Sequence, residues 1–184
     1  MPPQPSLHLT VGLPGVGKTT LARRLEQEHV ALRLTPDEWM MPLFGDLEVE
    51  PARDVLEGRF LVVADRVLRG GMSVILDFGC WSPQERYAIR DLAERAGARF
   101  VLHALSLPEP ERRRRADARF REEAGTTVDI SAADHDRYAA MFEAPDEQEL
   151  RGAPIPAPPE GAESWASWAC ARWPSLPRLD LERS

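Results

Sequence analysis

Gly12 and Gly17 bracket four residues in the stretch VGLPGVGKTT and are followed at once by Lys18 and Thr19. Each position has its own use around a chain of phosphates. Glycines let the backbone curl until successive N–H groups converge on an anion, and a helix beginning there adds the positive end of its dipole. Lys18 brings a mobile cation to the outer phosphates. Thr19 offers a hydroxyl oxygen to Mg²⁺, an ion that keeps several waters and otherwise takes carboxylate and phosphate oxygens. The spacing G-x-x-x-x-G-K-[ST] thus makes Gly12, Pro14, Gly15, Val16, Gly17, Lys18, Thr19 and Thr20 the candidate nucleotide-binding residues.

Three further sets of residues complete such a chemistry. Asp77 closes the apolar run Val74-Ile75-Leu76, where a second carboxylate would hold Mg²⁺ with Thr19, directly or through water. The alternative use is to cap the turn DFGCW; this DFG is not the protein-kinase triplet, since no H-R-D element precedes it. Asp37 follows the second strand candidate and is the candidate base that orients and partly deprotonates an acceptor hydroxyl. A first-turn position favours its ionised form, although acids are common there for helix stability alone. Arg112, Arg113, Arg114, Arg115, Arg119 and Arg121 crowd the segment after the fourth strand candidate. Arg115 and Arg119 are four apart on one helical face, as lid arginines closing over a transferring phosphate would be. A solvated helix paired with Glu111, Glu122 and Glu123 is the plainer account. The candidate catalytic set is Asp37, Lys18, Arg115 and Arg119. Trp39, Phe44, Trp81 and Tyr87 lie near Asp37 or Asp77 in the chain and could stack on an acceptor, or pack the core. Cys80 could line the same cavity without acting as a nucleophile, and His8, His29, His103 and His135 read as structural.

Elements that could position these groups are legible in the periodicity. Residues 6–11 form a short apolar run ending in the glycine-rich loop, and Leu21, Ala22 and Leu25 follow at helical spacing. VALRLT at 30–35 is a second strand, with Thr35, Pro36 and Glu38 as N-cap, N1 proline and capping-box acid of the next helix. A helical stripe over 54–69 stops at Gly70 and Gly71. MSVILDFG at 72–79 is a strand buried on both faces. Ser82, Pro83 and Glu85 open a helix that closes at Gly97, RFVLHALSL is a fourth strand, and a charged helix runs on from Pro110. Ser131 and Asp134 cap a further helix, and EAPDEQEL reads as a solvated acidic surface. Strands alternating with helices mean a parallel α/β sheet covered on both sides. A Pro-rich stretch then leads to SWASWACARW, a helix packed on the body, and a fifth strand falls at Leu179–Leu181 if the sheet has five strands and not four. The implied organisation is a core over 1–150 with a helical lid at about 108–142, and a Pro- and Trp-rich extension over 151–184.

At 184 residues, 43% hydrophobic and 29% charged, the composition is that of a folded domain, neither disordered nor membrane-spanning. MPPQPSLHLTVG lacks the basic start, apolar run and cleavage site of a secretory signal, which points to the cytoplasm. Two cysteines without Cys-x-x-Cys spacing suggest neither a disulfide framework nor a zinc site. A net charge of −7 disfavours general adhesion to nucleic acid or anionic lipid.

The succession VGLPGVGKTTLARRL, TPDEW and SVILDFGCWSPQERYAIRDLAERAGARFVLHALSL, followed by Arg115 and Arg119, resembles the small P-loop kinase group that includes polynucleotide kinases, zeta toxins, gluconate kinases and chloramphenicol phosphotransferase. The resemblance covers roughly residues 6–150. It implies a P-loop NTPase fold with a five-stranded parallel sheet in kinase order, ATP with Mg²⁺ as donor, and an aspartate matching Asp37 as general base. One departure is Phe120, which follows the second lid arginine where many relatives carry asparagine. The expectation is an ATP-dependent kinase acting on a hydroxyl of a small molecule. A polynucleotide 5′-hydroxyl is the weaker acceptor, a nucleotide-dependent switch that binds a partner is the alternative class, and guanosine nucleotides stay open as donors.

Overall fold

A computed structural model describes residues 3–45, 51–122 and 129–177. Strand β1 (Ser6–Val11) is buried along its whole length, with Leu7, Leu9 and Val11 on one face and Ser6, His8 and Thr10 on the other. It lies inside a sheet of order β2-β3-β1-β4, the others being β2 (Leu32–Leu34), β3 (Val74–Leu76) and β4 (Arg99–Ala104). All pairings are parallel, and Leu9 is level with Leu76, which is level with Leu34. The residues that follow β1, β2 and β3 therefore leave the sheet at one carboxyl edge, where α/β sheets bind ligands. Among the described residues the sheet has four strands; the fifth expected at Leu179–Leu181 lies outside them.

Helices cover both faces, as a buried parallel sheet requires. Helix α1 (Lys18–His29) buries Ala22 and Leu25 against Ile75 on one side. On the other side the larger cluster joins Leu7, Leu9, Val11, Leu34 and Leu76 to α2 (Pro36–Phe44), α3 (Ala52–Arg69) and α4 (Pro83–Arg95). Helices α5 (Glu109–Glu122), α6 (Ala132–Met141), α7 (Glu147–Leu150) and α8 (Trp165–Arg172) complete the described chain. The capping boxes expected at Ser82/Glu85 and Ser131/Asp134 are formed. The one expected at Thr35/Glu38 is not, because Arg33 draws both partners away: it donates to the Thr35 hydroxyl and pairs with Glu38 at 2.9 Å. The second and third strands are shorter than the apolar runs suggested. Pairing stops once the Asp77 amide has bonded the Leu34 carbonyl, and Phe78 then turns into the core.

Two features of the packing escape periodicity. EAPDEQEL is not a solvated acidic surface, because Asp146 caps α7 and Glu149 is buried in a two-pronged pair with Arg86, at 2.7 Å on each prong. Arg86, only 1% exposed, also donates to the carbonyls of Cys80 and Glu143 and so ties the loop after β3 to the segment after α6. His8 stacks on His29 and lies 3.0 Å, Nδ1 to Nε2, from His103. Burial first, then the neighbouring His29 and His103 and the Arg99 cation, hold His8 down at a pKa of about 4. Among the described residues no helix is long and apolar enough to cross a membrane.

Candidate active site

The loop between β1 and α1 is lodged between two backbones, and glycine is what lets it fit. Gly12 and Gly15 have φ of +149° and +88°. A Cβ on Gly12 would lie 2.5 Å from the Leu105 carbonyl oxygen, just past β4, and one on Gly15 would lie 2.3 Å from the Arg112 carbonyl oxygen of α5. Val16 is buried and anchors the loop, while Gly17, also left-handed, is the N-cap of α1. Lys18 folds back so that Nζ donates to the carbonyls of Gly12 at 2.8 Å and Leu13 at 3.2 Å. Burial lowers its pKa, the Asp77 and Asp37 carboxylates oppose that, and the Arg119 and Arg53 cations add to it. One ammonium thus feels charges from α2, α3, α5 and the end of β3.

Asp77 is 5% exposed and level with Thr10, whose hydroxyl donates to Oδ1 at 2.8 Å. Its Oδ2 is buried and has no hydrogen-bond partner. A buried carboxylate oxygen without a donor is costly, and a cation with its water shell is a partner that would satisfy it. Among the described residues no group of three or more His, Cys, Asp or Glu is placed to cage a metal. The single buried Asp77 oxygen is the kind of donor Mg²⁺ takes, since that ion binds one or two carboxylates and leaves its other positions to phosphate oxygens and water. Asp37, in the first turn of α2, is half-exposed and accepts a 2.9 Å hydrogen bond on Oδ1 from Arg53 Nη1.

The expected lid arginines part company. Arg115 is exposed and paired with Glu111 at 2.7 Å along its own helix, which is the plainer account given for the run. Arg119 is near enough to act on Lys18. Arg112, which periodicity did not single out, meets the loop directly: it is buried, reaches the Pro14 carbonyl and donates to His135 Nδ1 at 2.9 Å. His135 is therefore bonded to Arg112 and is kept from protonating by burial, Arg112 and Arg113.

Residues 7–145 match the family described as AAA domain. The chain belongs to this family. Its fold is that of the small P-loop kinase group, as three solved structures illustrate. The structure of the Pnkp1/Rnl/Hen1 RNA repair complex aligns with TM-score 0.65 and 21% identity over 80% of this chain, but this chain spans only 45% of that one. The Mycobacterium tuberculosis APS kinase CysC, in complex with AMPPNP and APS, aligns with TM-score 0.58 and 21% identity over 79% of this chain and 86% of that chain. An unliganded sugar kinase from Janibacter sp. HTCC2649 aligns with TM-score 0.55 and 18% identity over 98% of this chain and all of that one, 100%. Among curated proteins none matches.

The four aromatic residues of this AAA domain do not form one wall. Trp39 and Phe44, on α2 with Asp37, are 46% and 44% exposed, and Trp39 meets Phe60 edge to face. Trp81 packs at a tilt against Tyr138 of α6, close over Gly79, with its indole N–H buried and without a partner. Tyr87 packs on Trp165 of α8, among contacts with the C-terminal segment and not with Asp37. Cys80 is buried, and burial drives its thiol pKa well up, so it stays protonated. A cavity of about 470 Å³ opens along β4 between Arg90, Phe100, Leu102 and Arg151, and no predicted site residue lines it.

Arg53 and Glu57 are two more residues that sequence reasoning passed over. They stand four apart on α3, a pairing spacing, and Arg53 Nε donates to Glu57 Oε1 at 3.2 Å. What ARDVLEG could not reveal is that Arg53 also reaches across to α2 and Asp37.

Proposed function

We propose that this chain is an ATP-dependent kinase that moves the γ-phosphate of ATP to a hydroxyl of a small molecule. The observation that carries the reading is the partnerless Oδ2 of Asp77, buried where Lys18 also senses Asp37 and Arg119. Backbone amides of Gly15, Gly17, Lys18 and Thr19 would hold the phosphates, helped by the dipole of α1. Lys18 would leave its two loop carbonyls to bridge the outer phosphates. Thr19 and Asp77 are the residues that would hold Mg²⁺, which when bound neutralises phosphate charge and orients the transferring group.

Asp37 would accept the hydrogen bond of the acceptor hydroxyl and take its proton as the new O–P bond forms. Arg53 keeps that carboxylate in place, and Arg119 would add positive charge where negative charge moves to the leaving oxygen. Trp39 and Phe44, exposed on the helix that carries Asp37, would meet the acceptor first. The neighbour solved with AMPPNP and APS supports the choice of an adenine nucleotide and a small acceptor. A net charge of −7 supports a small acceptor over a nucleic acid strand.

Asp37→Asn tests the assignment. With ATP-Mg²⁺ and a small-molecule cell extract, the parent should add one phosphate to a metabolite, detected by mass spectrometry. The variant should bind ATP as the parent does and lose that transfer by about 10²–10⁴-fold. Transfer at the parent rate would refute the base, and ATP turnover without any phosphorylated product would favour a nucleotide-dependent switch.

A further inference from the structure

The C-terminal segment reaches the candidate base through an unbroken chain of hydrogen bonds. Trp173, fully buried, donates its indole N–H to Glu57 Oε2 at 3.1 Å. Glu57 Oε1 accepts from Arg53 Nε at 3.2 Å, and Arg53 Nη1 donates to Asp37 Oδ1 at 2.9 Å. We propose that Trp173 and Glu57 are positioning residues that set where Arg53, and through it Asp37, stands. This rests on the kinase reading above, because it is the base of that reaction they would position.

The segment is pressed onto α3 closely enough to transmit position. At Gly58 a Cβ would lie 2.3 Å from Ser175 Oγ and 3.2 Å from both the Leu176 amide nitrogen and Trp173 Cβ, so the tail backbone passes close over α3 at this position. Ser175 also donates to the Val55 carbonyl, and Arg172 bridges Asp54 of α3 at 2.7 Å and Glu85 of α4 at 2.8 Å while lying over the Trp173 ring. The face of α3 that carries Asp54, Glu57 and Gly58 is thereby fixed to the tail, and Arg53 at its edge leans towards α2.

Packing alone does not account for Glu57. A buried ion pair is weak support for stability, and an apolar side chain of similar volume often serves as well or better. Burial raises the Glu57 pKa and the nearby Glu85 adds to this, against the pull of Arg53, the Trp173 N–H and Arg172. Those groups, on α3, α4 and the tail, decide its charge together. An ionised Glu57 shares the Arg53 cation with Asp37 and holds the guanidinium by its Nε edge. A protonated Glu57 would release that edge, and Arg53 would be free to swing with Asp37 or to cover it.

Trp173→Phe removes the N–H and keeps most of the ring, and Glu57→Gln removes the charge with the tail packing intact. In the full chain without nucleotide, both should shift the ¹⁵N resonance of Arg53 Nε. Trp173→Phe should also raise the pH at which the Glu57 side-chain ¹³C signal titrates. With ATP-Mg²⁺ and the cell extract, turnover should fall roughly tenfold or more while the KM for ATP holds, as for other residues that orient a reacting group. In an Asp37→Asn background neither change should lower the residual rate further. An unmoved Arg53 signal and parent turnover in both variants, with Asp37→Asn inactive, would overturn the relay and leave the kinase reading standing. Full activity of Asp37→Asn would overturn the kinase reading itself. Should Trp173→Phe lower stability, Glu57→Gln answers the same question.

Discussion

Replacing Gly15 by alanine asks whether the loop is shaped by its contact with α5. Two costs can be separated. At φ +88° any residue with a Cβ incurs the left-handed penalty of about 1–2 kcal/mol. The new Cβ would also stand 2.3 Å from the Arg112 carbonyl oxygen, where contacts under 3.0 Å are essentially never seen, so loop and helix must part by about 0.7 Å. Crowding of that kind costs a further 1–3 kcal/mol or so. Gly17→Ala is the internal control: its φ of +97° carries the same backbone penalty, but its Cβ meets open space. Urea unfolding of the chain without nucleotide should therefore show Gly17→Ala down by about 1–2 kcal/mol and Gly15→Ala down by about 2–5 kcal/mol. Because Arg112 also bonds Pro14 and His135, the same shift should loosen the contact between α5 and α6. Titration calorimetry with ATP-Mg²⁺ should then find Gly15→Ala weaker by roughly 10–100-fold, as misplacement by about an ångström can cost a bound complex. Equal destabilisation of the two variants would refute the close contact as the reason for Gly15.

Three other perturbations follow from single residues. The folded chain protonates His8 only near pH 4, against an ordinary value of 6.5, so it binds that proton less readily than the unfolded chain does. Stability should be full above about pH 6.5 and fall by about 3 kcal/mol as the pH drops towards 4, and His8→Gln should flatten this slope in urea midpoints; a slope equal to the parent's would contradict it. Glu149→Ala leaves the buried Arg86 without its carboxylate and should cost about 3–5 kcal/mol, some 6–20 °C in Tm, whereas a double change to leucine should come near the parent; a single-variant loss under about 1 kcal/mol would be decisive against it. Asp77→Asn keeps an acceptor for the Thr10 hydroxyl but neutralises the buried oxygen, so the gain in ATP affinity on adding Mg²⁺ should shrink by roughly 10–100-fold; an unaltered Mg²⁺ effect would remove Asp77 from the metal site.

What could be read from the chain was whatever one segment decides by itself. The phosphate-loop spacing, the helix starts at Pro83 and Ala132, and the alternation of strand and helix each depend on a few adjacent residues, and each appears in the structure where the sequence puts it. Parallel pairing then does the rest: with Leu9, Leu76 and Leu34 in register, the residues after them must share an edge. Thr35 shows the limit of local signals, since its capping pattern is complete and is still undone by Arg33 two residues away.

The groups that went unread depend on encounters between distant segments. Glu149 looks like one acid among several until Arg86, 63 positions earlier, is buried beside it. Arg112 sits in a run of four arginines, and nothing in that run says which one turns inward to Pro14 and His135. Glu57 and Trp173 are 116 positions apart. Long-range contacts of this kind are also where a change can alter chemistry without touching the loop that holds the nucleotide. If the proposed relay from Trp173 through Glu57 and Arg53 to Asp37 operates, substitutions in α8 or after it should alter turnover more than nucleotide affinity, and the Pro- and Trp-rich extension would then serve the reaction as well as the packing.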